Sequence, residues 1–181
     1  MKNINLYVYA LVVTSLFWGC DKGPDLTPMT QEGKNTFSCK VNGKVWIPDG
    51  TGDWFGLAKP INGGFVGYGS STPPTIYMRT YSKDKTELYI FLKTIETGNH
   101  ELNQTTLEID KDFSPENYGW YQGPDGISFM TNQTHIGRVT ITRADTISGV
   151  ISGTFEFEAR NSLGQTVKIT DGRFDINSRT L

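Results

Sequence analysis

The stretch GVISGTFEFEARN, residues 149–161, alternates between two kinds of side chain with no break in phase. Ile151, Gly153, Phe155, Phe157 and Ala159 fall on one phase, and Ser152, Thr154, Glu156, Glu158 and Arg160 on the other. A period of two sorts such residues cleanly only on a pleated strand; a helix would scatter them around its axis. The strand therefore has one apolar and one polar face. GRVTITRAD repeats the pattern, with Val139 and Ile141 set against Arg138, Thr140 and Thr142. In QTVKITDGRFDI, Val167 and Ile169 share the apolar phase, then the parity flips and Phe174 and Ile176 carry it. One extra residue restores the phase, which predicts a bulge or tight bend at Asp171-Gly172. Three such strands joined by short polar turns make an antiparallel meander.

The front of the chain obeys the same logic. In TFSCKVNGKVWIP, Asn42-Gly43 predicts a two-residue type I′ hairpin, because both central positions need positive φ. Val41 then faces Lys44, Cys39 faces Trp46 and Phe37 faces Pro48. Phe37, Cys39, Val41 and Trp46 form an apolar face, while Thr36, Ser38 and Lys40 point away. Cys39 is thereby a small core residue rather than a reactive thiol. In INGGFVGYGSSTPP, Gly64, Gly67 and Gly69 lack the Gly-Lys-Ser/Thr of a phosphate loop and are expected to mark a bulge or bend. TIYMRTYS and ELYIFLKTIET form a hairpin across Lys83-Asp84-Lys85-Thr86. In its second strand Leu88, Ile90 and Leu92 occupy one face, and Tyr89 and Phe91 the other, as in a strand covered on both sides. NHELN and TTLEID read as two further short strands. With no convincing helical period, residues 36–181 are expected to be all-β: an antiparallel β-sandwich or flattened barrel of about 9–11 short strands.

The first twenty residues, MKNINLYVYALVVTSLFWGC, have a different character. Lys2 precedes an uncharged, largely apolar run, and small Gly19 precedes Cys20. This is the layout of a secretory signal peptide, residues 1–19. The run of about 15 residues is short of the roughly 20 that a membrane-spanning helix needs. Leu16-Phe17-Trp18-Gly19-Cys20 resembles a loose bacterial lipobox, which would make Cys20 the lipidated first residue of the processed chain. The alternatives are a signal peptide cut elsewhere, with Cys20 lost, or a Cys20–Cys39 disulfide, which excludes lipidation. Residues 20–35 are polar and broken by Gly23, Pro24, Pro28 and Gly33, and are expected to be a flexible tether with a mean span of roughly 20 Å.

Seventeen Lys and Arg stand against 19 Asp and Glu, and losing Lys2 leaves the processed chain more acidic still. Nucleic acid is excluded as a partner class, since phosphates call for a clustered basic surface. About 160 residues suffice for one core without disulfides.

The motifs NTFSCKVNGKVWIP and ISGTFEFEARNSLGQTVKITDGRFD resemble those of a family of small Bacteroidota lipoproteins built on a domain of unknown function. The resemblance spans roughly residues 35–48 and 136–176. It implies a lipid anchor in the outer membrane, a polar tether and an all-β domain, and carries no catalytic residues or cofactor. In that group, acidic residues after the lipidated cysteine direct export to the cell surface. Asp21 and Asp25, broken by Lys22 and Pro24, leave the side of the membrane open.

Candidate chemistry is sparse. His100 and His135 fall in no metal-ligand spacing and read as solvated loop residues. Glu156 and Glu158 stand about 7 Å apart on one strand face, near the separation of glycosidase carboxylates, but on the solvent side. Asp110, Asp112 and Ser114 echo a calcium loop, yet Pro115 stands where its glycine belongs. Asp145-Thr146-Ile147 resembles a bacterial O-glycosylation triplet. The segment 113–127, FSPENYGWYQGPDGI, sets Tyr118, Trp120 and Tyr121 among turn residues. These rings either close one end of the core or form a platform for a glycan or envelope protein. The expected function is a non-enzymatic envelope lipoprotein, with a carbohydrate- or protein-binding module as the alternative.

Overall fold

The computed structural model describes residues 24–50, 59–67, 73–103 and 116–181. Among them are eleven strands and no helix: β1 (Thr36–Val41), β2 (Lys44–Trp46), β3 (Ile61–Val66), β4 (Thr75–Tyr81), β5 (Glu87–Leu92), β6 (Gly98–Leu102), β7 (Tyr118–Gln122), β8 (Ser128–Met130), β9 (Gly137–Asp145), β10 (Val150–Arg160) and β11 (Thr166–Asn177). Every pairing is antiparallel. Nine strands form one strongly curled half-barrel in the order β2-β1-β11-β10-β8-β7-β5-β4-β3. The long strand β10 is where the sheet branches. Its first part pairs with β9, which carries β6 on its other edge, and its last residue, Arg160, pairs with Met130 of β8.

Most local expectations map onto this sheet, although β2 ends at Trp46 and the expected pairing of Phe37 with Pro48 is not made. Cys39 pairs with Trp46 and Val41 with Lys44, around a turn in which Asn42 (φ 48°) and Gly43 (φ 81°) are both left-handed. The phase flip in β11 is a bulge. Asp171 has φ 53°, and the register slips there against both β1 and β10. Gly172 follows because a Cβ on it would lie 2.5 Å from the Phe155 carbonyl oxygen. The hairpin across Lys83–Thr86 closes with Ser82 N–H donating to Thr86 O at 2.9 Å. Strand β5 is buried along its whole length, and all of NHELN but Asn103 lies within β6. TTLEID, Gly69, the calcium-loop echo at Asp110, Asp112 and Ser114, and Cys20 with the signal segment lie outside the described residues.

The core fills the inside of the curl. Phe37, Trp46, Phe155, Phe157 and Phe174 meet the aliphatic faces of β4, β5, β9 and β11. Phe155 touches Phe37 at 4.9 Å and Phe174 at 6.3 Å between ring centroids. Cys39 is a free thiol within this core, and burial pushes its pKa well above the ordinary thiol range. Trp46 Nε1–H donates to Thr86 Oγ1 at 2.7 Å, tying the β2 edge to the β4–β5 turn.

At the β3 edge and at the N-terminal segment the structure differs from the sequence reading. First, Gly64 makes no bulge, since β3 pairs with β4 in unbroken register through it and its neighbour Gly63, whereas Gly67, just past the strand, is the expected bend with φ 76°. Gly63 and Gly64 permit close approach instead: a Cβ on Gly63 would lie 2.9 Å from Ile176 Cδ1, and one on Gly64 would lie 2.8 Å from Ser178 Cβ. Second, the expected flexible tether is bound from Thr27 onward. It forms a strap across the outer face of β1, β11, β10 and β9. Thr27 N–H donates to Ser38 Oγ at 2.9 Å, Arg173 Nη1 to Thr27 O at 3.0 Å, and Arg143 Nη1 to Gln31 O at 2.6 Å. Its hub is Asp175, which is 1% exposed. Oδ1 accepts from Gly33 N–H (2.8 Å) and Ser152 Oγ (2.7 Å). Oδ2 accepts from Thr30 Oγ1 (2.5 Å), Glu32 N–H (3.1 Å) and Lys34 N–H (3.3 Å). A polar segment unable to bury apolar surface is thus held by charge-assisted hydrogen bonds. This explains why Ser38, on the outward phase of β1, is fully buried.

Candidate functional site

Alternation along β4, β5 and β7 puts aliphatic side chains inside the curl and aromatic ones outside it. The outward set is Tyr77, Arg79 and Tyr81 on β4, Glu87, Tyr89 and Phe91 on β5, and Tyr118, Trp120 and Gln122 on β7. The ladders align them: Tyr77 opposite Phe91, Arg79 opposite Tyr89, Phe91 opposite Tyr118, Tyr89 opposite Trp120, and Trp120 opposite Met130 of β8. Tyr118 stacks between Phe91 (5.7 Å) and Tyr89 (5.5 Å). These three rings are buried, with Tyr77, Trp120 and Met130 half-buried around them. This is a second apolar cluster, separated from the core by the sheet itself.

One end of the face is charged. Arg79 Nε pairs with Glu87, and its guanidinium sits 5.0 Å from the Tyr81 ring centroid. Burial works to lower the Arg79 pKa, but the Glu87 carboxylate outweighs it and the net shift is upward. Tyr77 Oη–H donates to Asn62 Oδ1 at 3.1 Å at the β3 edge. Stacked rings bordered by a fixed ion pair and amide groups can grip a flat, hydroxyl-bearing or apolar ligand surface.

Of the three rings singled out in the sequence, Tyr118 and Trp120 share this face and Tyr121 does not. All three lie on β7 rather than in a loop, so position parity sends Tyr121 into the core. There it meets Phe129 at 6.3 Å, and desolvation lifts its phenol pKa to about 12. The three rings therefore form no single platform. What the sequence reading missed is that Tyr77 and Met130 complete the outer cluster; strand pairing, invisible locally, brings them in.

The other candidates are engaged in structural pairings. His100 Nε2 lies 2.8 Å from Glu96 O. His135 sits in a turn closed by Asn132 Oδ1, which accepts from the Thr134 and His135 N–H groups at 2.9 Å. Glu156 accepts from Arg138 Nη2 at 2.9 Å, and Glu158 lies 3.7 Å from His135 Nε2. The two carboxylates point outward with separate partners, beside two open depressions along β9, β10 and β11: one of about 270 Å³ that is mainly polar, and one of about 420 Å³ that is lined in part by Ile136, Phe157 and Ile169. Asp145-Thr146-Ile147 forms the β9–β10 turn. The Asp145 carboxylate accepts from the Ser148 hydroxyl and from the Ser148 and Ile147 N–H groups, and its pKa falls well below the usual carboxylate range. Among the described residues no group of His, Cys, Asp and Glu is placed to hold a metal ion.

Neither a curated protein nor a solved structure matches the chain. A family described as a domain of unknown function (DUF6252) matches residues 75–175. The match runs from the first residue of β4, through the whole aromatic face and the meander, to the strap hub Asp175. Since it covers more than half of the 181 residues, the chain belongs to the DUF6252 family.

Proposed function

We propose that the protein is a non-enzymatic lipoprotein of the cell envelope, its β-domain held at the outer membrane by acyl chains on Cys20. The observation that carries this reading is the abrupt end of the apolar segment at Gly19-Cys20, followed at once by polar chain. Each buried CH₂ contributes about 0.8 kcal/mol, so two or more acyl chains make a stable grip where one is marginal. The non-enzymatic reading is supported by the pairing of the catalytic-type side chains with structural partners: Glu156 with Arg138, Glu158 with His135, and His100 with a backbone carbonyl. Cys20→Ala should shift the protein from the membrane fraction to the soluble fraction or the unprocessed precursor. Mass spectrometry of the wild type should find acyl chains on Cys20; an unmodified thiol there would refute the anchor.

A second reading is favoured by the aromatic outer face. There the protein would bind a glycan or an envelope protein through Trp120 and Tyr77, with Tyr118 beneath them as a rigid base. Titration with envelope glycans should quench or shift tryptophan emission saturably, and Trp120→Ala should lower affinity about tenfold or more, in line with 1–3 kcal/mol for an aromatic anchor. An equal response from Trp120→Ala would remove Trp120 from the site.

A further inference from the structure

The strap shortens the connection between the domain and its anchor, and the lengths involved decide an orientation. With the strap docked, Thr27 is pinned to Ser38 of β1 and Arg173 of β11. Only Asp21 to Thr27 then separate the domain surface from Cys20. That contour is about 25 Å at most, even fully extended. A domain of about 150 residues has a radius of gyration of about 15 Å and is therefore roughly 40 Å across. The leash is shorter than the body it holds. A free tether running to Thr36 would reach about 55 Å and allow any orientation.

We infer that the strap-bearing outer face of β1, β10 and β11 is turned toward the lipid bilayer, its partner being the membrane surface itself. This rests on the proposed acylation of Cys20. The docked strap excludes the arrangement with that face pointing away from the membrane, because the leash cannot pass around the domain. Met29, which is 69% exposed on the strap beside the depression lined by Arg138, Glu156 and Arg173, is then on the lipid-facing side. The aromatic face lies beyond β10, on the other arm of the curled sheet.

The test uses the full-length acylated protein in phospholipid vesicles that carry a headgroup acceptor dye. A donor is placed at Met29→Cys or at Gln122→Cys on the outward side of β7; buried Cys39 does not compete for label. Energy transfer should be several-fold stronger from position 29 than from 122. Inserting about 15 Gly and Ser residues between Gly23 and Pro24 leaves the strap docked and lengthens the leash, and should bring the two signals close together. Equal transfer from both positions in vesicle-bound protein of native length would overturn the orientation, as would an asymmetry unchanged by the insertion. Protein that fails to float with vesicles would refute the anchor, and the orientation with it; flotation thus separates the two failures.

Discussion

Gly153→Val should abolish the stable fold or remove at least about 4 kcal/mol of stability, far beyond an ordinary surface change. Gly153 lies on the inward face of β10, opposite Phe174 of β11 and Ile141 of β9. A Cβ there would stand 2.1 Å from the Thr140 carbonyl oxygen and 2.7 Å from Phe174 Cζ. The first of these is backbone in the neighbouring ladder, so no rotamer change relieves it. Either β9 moves away and loses its pairing, or Phe174 leaves the ring cluster it forms with Phe155. Gly153→Ala meets the same clash with less bulk and should fall between Val and wild type, near the 1–3 kcal/mol usual for overpacking. Urea titration followed by tryptophan emission reads both, with exposed Glu156→Gln as a control within about 0.5 kcal/mol of wild type. A wild-type midpoint for Gly153→Val would mean that β9 and β10 are not packed as described.

How much of this was legible beforehand depended on whether the determining chemistry was local. The Asn42-Gly43 turn sets the register of β1 and β2 because both residues must take positive φ, a property written in two letters. The bulge at Asp171-Gly172 was legible as a break in parity, since side-chain period alone reveals an extra residue. The double-faced β5 was legible from its unbroken apolar run. β7 was not, because Gly119, Gly123 and Pro124 look like loop residues. Gly119 sits in the strand for a distant reason: the Phe157 ring packs about 3.0 Å from where its Cβ would be. Once 118–122 is a strand, the same parity rule separates Tyr121 from Tyr118 and Trp120, so the error in the site followed from the error in the element. The branching of the sheet at β10 has no local signature, since it depends on which edges find each other. The strap was the least legible. It lacks periodicity and apolar content, and its anchor, Asp175, sits on the outward phase of β11, where an aspartate ordinarily meets water.

That aspartate carries the second large effect. Asp175→Ala should lower stability by about 3 kcal/mol, within the range for breaking a buried hydrogen-bonded charge, and should release residues 27–35 from the sheet. Five donors converge on the carboxylate, three of them consecutive backbone N–H groups of the strap. Removing it leaves Ser152 Oγ and those amides without their acceptor. Hydrogen exchange gives a direct readout: the amides of Glu32, Gly33 and Lys34 should be protected in the wild type and exchange freely in the variant, while the β10–β11 ladder stays protected. The same carboxylate sets a pH response. Burial works to raise its pKa, but the hydrogen bonds from Thr30, Ser152, Gly33 and Lys34 prevail, and it falls from an ordinary 3.8 to about 2. A depressed folded-state pKa means the unfolded chain takes up the proton first. The contribution, roughly 2 kcal/mol, is therefore complete above about pH 4 and lost as pH falls toward 2. Strap amides should lose protection across that window ahead of the core strands, and Asp175→Ala should flatten this part of the stability profile. Protected amides at 32–34 in the variant would show that other contacts hold the strap. The hub would then be Arg143 and Arg173, which grip the carbonyls of Gln31 and Thr27.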